Sequence, residues 1–593
     1  MSSTPLHLLQ QWAKTKASIA ALYGRERDGS WREYTWHQYF ETVREVAKGL
    51  IALGVQPADR VALLGKNTPE WLICQAGVVA ARAVAAPIYP TNPPEQVAYI
   101  LNHCGARVVI CDGQDQLTKI LSSVSAKTVT LDRVVNLGVV RDNRDLVISL
   151  SQLTALGRQQ PDVLLNARIS AITADQIGLL LYSAGTTGPP KAAPLSHKAQ
   201  LDVANAMLRR FPRLRQDYRV VSYLPLNHAA EQVFSNLLPL VTGGVTYFCP
   251  ELSEVTSYLR EIQPTFFFGV PAFWSQVERR LKREFEQQLP HQRLLSRWAL
   301  ARGESAFRAR AFGPTGKLGI AQAVADRLLG RQIRKQLGID KLTLAATGGA
   351  PANPRTLEFF AALGVRIYEG YGLSEAMIAT LPEAHQLRIG TVGKPIPGTE
   401  LRIASDGEIE LRGTSVIDGY YLMPHRTREA FTEDGWLRTG DLGVLDDQGY
   451  LRITGRKREM VITSGGRSVV PAGIERRLNQ VPGIAHAVIV GDGRPHLCAL
   501  VALDPDELPA LAQQLRIEAT TVDEAARHQA VQNYVAQNVM QASQEQGEPL
   551  VRDFVVLPNA FSIEGGELTP QMNPRRQAVL EKYRQAIDTL YLP

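Results

Sequence analysis

Apolar runs and amphipathic stretches alternate along the first 130 residues. A strand is predicted at 31–35, and a helix follows at 36–53, because apolar residues recur there at helical spacing up to Gly54. The same pattern continues with strands at 60–64, 83–88, 107–111 and 128–131 and helices at 68–81, 97–104 and 115–125. This alternation predicts a mostly parallel sheet covered by helices on both faces.

Polar loops follow several later strands. An apolar run at 177–182 predicts a buried strand that opens into a loop, and helices are predicted at 198–210 and 229–240. His228 follows a predicted strand at 219–224, and the carboxyl end of a strand is where open α/β sheets form their ligand crevice. A purely structural histidine is the alternative. Further on, strands at 342–346 and 366–368, separated by a helix at 354–363, run into TGGAP and EGYGLSE.

The pattern changes near residue 391 to short alternating strands with glycine turns, at 400–403, 408–412, 436–441 and 450–454. This predicts a small all-β subdomain that closes the N-terminal region. The basic run at 455–458 interrupts the apolar pattern, so we expect an interdomain hinge at 456–458. An α+β pattern follows, which predicts an N-terminal domain over 1–454 and a smaller, mobile C-terminal domain over 455–593.

Composition adds few constraints. The 593 residues exceed what one hydrophobic core usually supports, which agrees with several subdomains. The net charge of +7 is modest and spread along the chain, so nucleic-acid binding is not expected, whereas an anionic ligand or lipid surface fits. Basic residues are mildly enriched at 279–335, inside predicted amphipathic helices at 273–336. A solvated basic face is the default interpretation, and a peripheral membrane contact is the alternative.

The five cysteines show no CxxC spacing, so neither a zinc site nor a disulfide framework is predicted. A reducing, cytoplasmic location is the expectation. Neither a signal peptide nor a membrane-spanning helix is predicted, because the most apolar stretch is interrupted by Arg82.

The loop at 183–191, SAGTTGPPK, has a composition that suits phosphate groups. Glycines let backbone N–H groups approach phosphate oxygens, hydroxyl groups donate further hydrogen bonds, and Lys191 adds positive charge. It is not a Walker loop, because Pro190 occupies the place of the second glycine and Ala192 follows the lysine. An ordinary strand-to-loop turn is the alternative.

Four ordered runs resemble the adenylate-forming superfamily of acyl-CoA synthetases, luciferases and peptide-synthetase adenylation domains. They are YSAGTTGPPK at 182–191, the pair TGGAP at 347–351 and YEGYGLSE at 368–375, GWLRTGDLG at 435–443, and GRKREMVITSGGRSVVP at 455–471. The helical insert at 273–336 and the ending GELTP at 566–570 are most similar to bacterial long-chain fatty acyl-CoA synthetases. The resemblance covers nearly the whole chain.

The resemblance implies a nucleotide site. The β- and γ-phosphates would be held by Ser183, Gly185, Thr186, Thr187, Gly188 and Lys191. Adenine would lie against Gly349, Ala350, Pro351, Tyr371 and Gly372. Ser374 would approach the α-phosphate, Asp441 would bind the ribose hydroxyls, and Arg456 would reach ribose or phosphate. Taken singly, each residue has an alternative role as a turn former, a cap or a solvated charge.

The resemblance also implies a reaction. A fatty acid of medium or long chain would react with ATP to form an acyl-adenylate, and the acyl group would pass to the thiol of CoA. Glu375 and Thr186 would hold Mg²⁺, His228 would lie where the acyl carboxylate meets the thiol tunnel, and Gly465 and Gly466 would line that tunnel. Arg458 would be the hinge about which the C-terminal domain turns. The oligomeric state is left open between monomer and homodimer.

The sequence departs from the family pattern at a functional position. The family places a lysine after its Thr-Pro-x-Met run, where Asn573 stands here. Losing this cation would cost several kcal/mol of transition-state stabilisation, on the order of a thousandfold in rate. The phosphate loop departs too, with Ala184 in place of a hydroxyl residue and Ala192 in place of a glycine.

Three hypotheses follow from this departure. The protein is a CoA ligase that adenylates slowly or that uses Arg575, Arg576 or Lys582 as the missing cation. Alternatively, it transfers the acyl group to a carrier-protein pantetheine or another nucleophile. The third hypothesis is a non-catalytic acyl or AMP-binding protein.

Overall fold

The fold is described by a computed structural model over residues 3–126, 129–138, 145–183, 189–311, 320–384, 386–545, 548–569 and 572–592. We call residues 3–456 the N-terminal region and residues 457–592 the C-terminal region. In the described part of the N-terminal region, two seven-stranded sheets form the framework. No helix in the described part of the chain combines the length and the apolarity that crossing a bilayer requires.

Both large sheets are parallel except at one edge. In spatial order, the strands of the first are Ile367–Glu369, Leu344–Thr347, Phe266–Phe268, Arg219–Ser222, Val245–Phe248, Ala20–Arg25 and Trp31–Thr35. Those of the second are Val147–Ser149, Arg133–Asn136, Val108–Cys111, Arg60–Leu64, Val84–Ile88, Ile177–Tyr182 and Ala192–Ser196. The last strand of each sheet is antiparallel to its neighbour. Parallel strands need covered faces, and the helices supply the cover.

The α-helices of the N-terminal region lie between and outside the sheets. They span Pro5–Thr15, Trp36–Ala52, Pro69–Ala80, Pro94–Cys104, Gly113–Ser125, Leu150–Arg158, Asp162–Ser170, His197–Arg210, Ala229–Glu231, Leu238–Thr242, Val255–Ile262, Pro271–Glu286, Pro290–Ala311, Ile320–Ala325, Arg331–Leu337, Pro354–Ala362 and Pro424–Ala430. Two π-helical segments, Gln232–Leu237 and Asp326–Gly330, continue neighbouring helices.

The helix Trp36–Ala52 illustrates how local sequence and packing agree. Its start is specified by a capping box, in which the Thr35 side chain accepts from the N–H of Gln38 and the Gln38 side chain accepts from the N–H of Thr35. Its inner side buries Trp36 at 1% exposure in the main core. It packs closely on Leu150–Arg158, because a Cβ atom on Gly157 would overlap the carbonyl of Glu45.

Two smaller units complete the chain. A four-stranded antiparallel sheet comprises Thr399–Ile403, Glu408–Gly413, Leu437–Leu445 and Leu451–Arg456, and we call it the small β sheet. The C-terminal region has a described three-stranded sheet of Ile484–Val490, Leu497–Leu503 and Val551–Val556. Its helices are Ala472–Leu478, Leu508–Leu515, Val522–Arg527, Gln529–Ala542, Arg576–Lys582 and Arg584–Thr589. The predicted α/β class with mixed sheets, a small β subdomain and an α+β C-terminal unit is confirmed.

Individual elements differ from the prediction in places. The strand predicted at 128–131 is wrong: the strand is Arg133–Asn136, which pairs in parallel with Val108–Cys111. Val129 is buried there without pairing, so its apolar character reflects packing alone. The predicted helix at 229–240 contains the π segment Gln232–Leu237. The strand Ala192–Ser196 was not anticipated, because prolines and a lysine around it suggested an irregular loop.

Polar contacts join the N-terminal and C-terminal regions, among them those of Lys457, which donates to Asp406 Oδ2 at 2.6 Å and to Glu408 Oε2 at 2.7 Å. Arg279, on the helix Pro271–Glu286, has its Nε atom 3.6 Å from Asp504 Oδ2. Glu369 ends a strand of the first sheet and accepts a hydrogen bond of 2.9 Å from the N–H of Ala352. Burial raises the pKa of the Glu369 carboxyl to about 7, and the positive charge of Arg476 in the C-terminal region opposes this rise. The domain boundary at 454/455 stays a prediction.

The buried Glu369 predicts a measurable pH dependence of stability. Its pKa in the folded state, about 7, lies above its ordinary value of 4.5, so the native state holds the proton more tightly. Stability is therefore lost as pH rises from about 4.5 to about 7. In Glu369→Gln, the amide oxygen still accepts from Ala352 but nothing titrates. We expect the variant to gain up to about 3 kcal/mol over the wild type across this interval.

Urea denaturation at a series of pH values between 4.5 and 8 measures this difference. Glu400→Gln is the control, because Glu400 is an exposed carboxylate on the small β sheet, and it should leave the pH profile unchanged. Parallel profiles for wild type and Glu369→Gln would show that the carboxyl is not protonated in the native state.

Candidate functional site

The loop at 183–191 connects two antiparallel strands, Ile177–Tyr182 and Ala192–Ser196. Its ends are joined by hydrogen bonds, because Ser183 N–H donates to the Lys191 carbonyl at 2.9 Å and Lys191 N–H donates to Ser183 Oγ at 3.2 Å. The loop is therefore a hairpin connection with fixed ends. The other predicted phosphate ligands lie outside the described residues; they are Gly185, Thr186, Thr187 and Gly188.

Tyr420 links the end of this loop to the predicted metal ligand. The Lys191 ammonium lies 4.9 Å from the centroid of the Tyr420 ring, and the Tyr420 hydroxyl donates to Glu375 Oε1 at 2.6 Å. The backbone holds the arrangement, since Tyr421 N–H donates to the Ala192 carbonyl at 3.0 Å. Sequence analysis did not identify Tyr420 as a site residue. The pair of tyrosines that follows Gly419 is the feature of the sequence that could have indicated it.

Glu375 is suited to hold Mg²⁺ together with phosphate oxygens. Its Oε1 atom is occupied by Tyr420, and no described residue donates a hydrogen bond to its Oε2 atom. Among the described residues, no group of three or more His, Cys, Asp or Glu side chains converges on a metal position. A single carboxylate fits the way Mg²⁺ is usually bound, with one or two protein carboxylates and substrate phosphates completing its coordination.

A second cluster brings together Tyr371, Asp441 and Arg456. Asp441 and Arg456 are directly opposite each other on two strands of the small β sheet. The Tyr371 hydroxyl donates to Asp441 Oδ2 at 2.7 Å, and Arg456 Nε lies 3.4 Å from Asp441 Oδ1. Burial raises the pKa of Asp441, while Arg456 and the Tyr371 hydroxyl oppose that rise. The carboxylate is thus an acceptor for donors that approach from the rim of the site.

The predicted adenine-binding segments lie next to each other at one sheet edge. The strands Leu344–Thr347 and Ile367–Glu369 pair in parallel, so the segments that follow them emerge side by side. A Cβ atom on Gly348 would lie 2.7 Å from the Gly370 carbonyl, and Gly349 has φ +78°. Gly349 and Pro351 are exposed and Ala350 is partly exposed, which leaves this surface open to a ligand.

Two further predicted residues follow Tyr371. Gly372 is exposed, and a Cβ atom there would overlap the carbonyl of Met377, so no larger residue fits the present backbone. Ser374 is partly exposed beside Glu375. The run from Gly372 to Glu375 is therefore at least partly exposed at this edge, next to the buried Tyr371.

His228 lies after the strand Arg219–Ser222 of the same sheet, whose carboxyl end faces this edge. Its Nδ1 atom accepts a hydrogen bond of 3.2 Å from the N–H of Ala230. Burial lowers the pKa of His228 to about 4, so the ring is neutral at pH 7 and carries its proton on Nε2. Glu231, in the next turn, is buried, and its pKa is raised to about 7. A neutral His228 can donate one hydrogen bond but provides no charge.

The remaining predicted residues belong to the C-terminal segments. Arg458 lies in the 3₁₀ turn Lys457–Glu459, directly after the small β sheet ends at Arg456. Gly465 and Gly466 lie in the turn between the strands Val461–Ile462 and Ser468–Val469, and a Cβ atom on either would meet no atom within 4 Å. This turn therefore has open space beside it.

Asn573 closes a tight turn, because its carbonyl accepts from Thr569 N–H at 2.8 Å and its N–H donates to Thr569 Oγ1 at 3.2 Å. Pro570 and Gln571 lie outside the described residues. Within the described part of the chain, no hydrogen bond joins the Asn573 side chain to another residue. Among the described residues, no hydrogen bond joins Asn573 to Tyr371, Asp441 or Glu375.

Two of the three proposed substitute cations are already paired. Arg576 forms an ion pair with Glu475 and donates to the Ile489 carbonyl at 2.6 Å. Lys582 forms an ion pair with the buried Glu567. Arg575, in contrast, is exposed, and among the described residues its side chain makes one long hydrogen bond, of 3.5 Å from Nη1 to the Gly566 carbonyl. Of these three cations, Arg575 would break the fewest contacts if its side chain changed position.

Comparisons with known proteins agree with this geometry. Residues 9–421 match the model of the AMP-binding enzyme family, and residues 458–592 match that of the AMP-binding enzyme C-terminal domain. The long-chain-fatty-acid–CoA ligase ACSBG2 of Xenopus laevis is 34% identical over 621 residues, which cover 98% of this chain and 83% of that protein. The long-chain-fatty-acid–CoA ligase FadD15 of Mycobacterium bovis is 34% identical over 578 residues, covering 96% and 94%.

Solved structures share the fold. The anthranilate CoA ligase AuaEII, in complex with anthranoyl-AMP, superposes with a TM-score of 0.74 at 21% identity, over 99% of this chain and 98% of that chain. ATP-bound MatB from Rhodopseudomonas palustris gives a TM-score of 0.70 at 21% identity, over 98% and 100%. With its matched family models and its two clusters at one sheet edge, the chain belongs to the AMP-binding enzyme family.

Proposed function

We propose that this protein is an AMP-forming ligase that activates a long-chain fatty acid with ATP and transfers the acyl group to CoA. The observation that carries the proposal is the convergence of Tyr371, Asp441 and Arg456 on one rim, beside the Glu375–Tyr420 pair. The names of the relatives that are 34% identical to this chain support the choice of acid and acceptor.

The reaction has two balanced steps. A carboxylate oxygen attacks the α-phosphorus of ATP, the bond to the β-phosphate oxygen breaks, and pyrophosphate leaves. The CoA thiol then gives its proton to water and attacks the acyl carbon, the bond from that carbon to the phosphate oxygen breaks, and AMP leaves with the electrons of that bond. In both steps charge moves onto phosphate oxygens, so groups already aimed at those oxygens lower the barrier.

In this proposal, each cluster binds one part of the nucleotide. The Tyr371 ring lies against adenine, and Asp441 accepts hydrogen bonds from the ribose hydroxyls while Arg456 donates to ribose or phosphate. Gly349, Ala350 and Pro351 provide the opposite wall. The neutral ring of His228 positions the acyl carboxylate through its Nε2–H group. Ser183 and Lys191 bind the outer phosphates from the ends of the hairpin loop.

Glu375 would hold Mg²⁺, which when bound neutralises charge on the phosphates. Tyr420 fixes one oxygen of this carboxylate and so orients the other. The Lys191 ammonium lies over the ring of Tyr420, so its positive charge is close to the proposed Mg²⁺ site.

The C-terminal region takes part in the second step. We infer that Arg458, in the turn after the small β sheet, is the hinge about which this region reorients between the steps. The open turn at Gly465 and Gly466 then lines the path of the thiol. Asn573 replaces a cation at the position that would serve the first step, so adenylation is slow relative to thiol transfer.

Pyrophosphate exchange and thioester formation test the function. With wild-type protein, Mg²⁺ and fatty acids of 8 to about 20 carbons (a range chosen to span medium and long chains), we expect exchange that is strongest with long chains. We also expect faster thioester formation from synthetic acyl-adenylate and CoA than from the free acid. Thioester formation on a pantetheinyl carrier protein but not on CoA would reassign the acceptor. AMP binding by calorimetry without either reaction would contradict the proposed activity.

Charge restoration tests the role of Asn573. We expect Asn573→Lys to raise the exchange rate by roughly 10- to 1,000-fold, since a cation near the α-phosphate is worth several kcal/mol. Transfer from synthetic acyl-adenylate should stay unchanged. If Arg575 supplies part of the charge in the wild type, Arg575→Ala lowers exchange further, while the exposed Arg584→Ala control does not. An unchanged rate in Asn573→Lys would show that another group already supplies the cation.

The Tyr420–Glu375 contact predicts a change in magnesium dependence. Tyr420→Phe removes the hydroxyl that orients the Glu375 carboxylate, so we expect the half-saturating Mg²⁺ concentration for exchange to rise about tenfold. Tyr421→Phe is the matched control and should leave it unchanged. A Mg²⁺ requirement that is identical in Tyr420→Phe and wild type would exclude Tyr420 as an orienting residue.

A further inference from the structure

We propose that His103 is a positioning residue that holds both ends of the loop at 183–191 in place for the outer phosphates of ATP. His103 lies in the last turn of the helix Pro94–Cys104 and was not among the predicted site residues. The inference rests on the proposed function, because that function supplies the phosphates that the loop would bind.

A hydrogen bond joins His103 to the strand that leads into the loop. The His103 Nδ1 atom and the Tyr182 hydroxyl oxygen lie 2.8 Å apart. Tyr182 is 3% exposed, ends the strand Ile177–Tyr182 and directly precedes Ser183. Burial and the neighbouring Cys104 thiol raise the pKa of Tyr182, so its hydroxyl keeps its proton at pH 7. Holding this side chain therefore holds the residue from which the loop begins.

The same imidazole contacts the segment that holds the other end of the loop. The His103 and Tyr421 rings meet edge to face, with centroids 6.2 Å apart and ring planes inclined by 79°. Tyr421 N–H donates to the carbonyl of Ala192, which is paired with Tyr182 across the two strands. These contacts use the ring and the backbone of Tyr421 and not its hydroxyl. One imidazole thus contacts both segments at the base of the hairpin.

The orientation of the imidazole is itself restricted. Tyr99, one turn earlier on the same helix, is stacked on it, with centroids 5.7 Å apart and ring planes inclined by 18°. The Tyr182 ring meets it edge to face at 85°. Both arrangements are favourable for aromatic rings at these distances. The imidazole is therefore enclosed by three tyrosine rings, which limit its rotation.

A histidine is a costly choice for packing alone at this position. The His103 Nε2 atom is buried and has no hydrogen-bond partner, and burying an unpaired polar atom opposes stability. Burial also lowers the pKa of His103, so the ring is neutral at pH 7 and contributes no charge. A phenylalanine would fill a similar volume without the unpaired nitrogen. What the histidine adds is the hydrogen bond to Tyr182.

The loop ends carry the groups that are proposed to bind the outer phosphates. Ser183 N–H donates to the Lys191 carbonyl at 2.9 Å, and Lys191 N–H donates to Ser183 Oγ at 3.2 Å, so a shift of one end moves the other. ATP has β- and γ-phosphates, whereas AMP has neither. A residue that positions these ends should therefore affect ATP binding and leave AMP binding nearly unchanged. A residue that only maintains the fold would affect both.

Calorimetric titration of the full-length protein with ATP and, separately, with AMP tests the inference, each in the presence of Mg²⁺. We expect His103→Phe to weaken ATP binding roughly three- to tenfold, the loss that corresponds to one hydrogen bond, and to change AMP affinity by less than about twofold. His103→Asn should restore most of the ATP affinity. Its amide places an oxygen or an N–H group where Nδ1 lies, so the hydrogen bond to Tyr182 survives in either direction.

A second variant tests whether the hydrogen bond is the means of positioning. Tyr182→Phe should weaken ATP binding by about the same factor as His103→Phe, and the double variant should bind ATP no more weakly than either single variant. His37→Phe is the control, because His37 is an exposed histidine on the helix Trp36–Ala52, and it should bind both nucleotides like the wild type. Thermal unfolding verifies that each variant is folded.

Several results would overturn the positioning role while leaving the proposed function intact. They are wild-type ATP affinity in His103→Phe, equal losses of ATP and AMP affinity in that variant, and additive losses in the double variant. Wild-type protein that binds AMP but not ATP would instead contradict the proposed function, and the role of His103 would fall with it.

Discussion

The hydrogen bond from the Tyr371 hydroxyl to Asp441 joins the first large sheet to the small β sheet, and the proposed nucleotide site depends on it. Tyr371 follows a strand of the first large sheet, whereas Asp441 belongs to the small β sheet. The opposite strand of that sheet carries Arg456 and leads directly into the C-terminal region. This buried contact thus links the first large sheet to the small β sheet, which carries the proposed ribose-binding carboxylate and leads into the C-terminal region.

The site combines rigid supports with a few desolvated polar groups. Glu231 and Glu369 are each buried, with pKa values raised to about 7, and both lie within two or three residues of predicted site residues. Burying such groups opposes stability, since their charged forms lose hydration. Glu369 accepts from the backbone of Ala352 next to the predicted adenine segment, and Ser235 donates to Glu231, which lies three residues after His228. These buried carboxyl groups fix the geometry around the site and lower the free energy of unfolding.

The proposed nucleotide site lies at the edge where parallel strands of the first large sheet end, beside the open backbone at Gly349. The helix Pro354–Ala362 follows the predicted adenine segment directly, and the helix Pro290–Ala311 packs on it. The helical insert therefore supports this edge of the sheet from behind the helix.

Local patterns predicted most of the architecture. Apolar runs identified the strands predicted at 60–64 and 107–111, and apolar residues at helical spacing up to Gly54 identified the helix that begins at Trp36, because these signals lie within a few residues of one another. The ordered motifs also indicated Tyr371, Asp441, Arg456 and Glu375 through their resemblance to a family. At 128–131 and at Ala192–Ser196, strand pairing rather than the apolar pattern decides whether a strand forms. The strand predicted at 128–131 is wrong, and the strand Ala192–Ser196 was not predicted.

The chain itself shows the linear order of the motifs and the change near residue 391 to short alternating strands, because residue type and spacing are local properties. The resemblance to the family shows that Asn573 stands where the family has a lysine. The hydrogen bond that Tyr420 makes to Glu375 and the ion pairs that occupy Arg576 and Lys582 are not local, since their partners lie 45, 101 and 15 residues apart. Only packing in three dimensions brings such groups within hydrogen-bonding distance. The same packing buries Ser296 and Ala299, and so determines that Leu294 is directed outward.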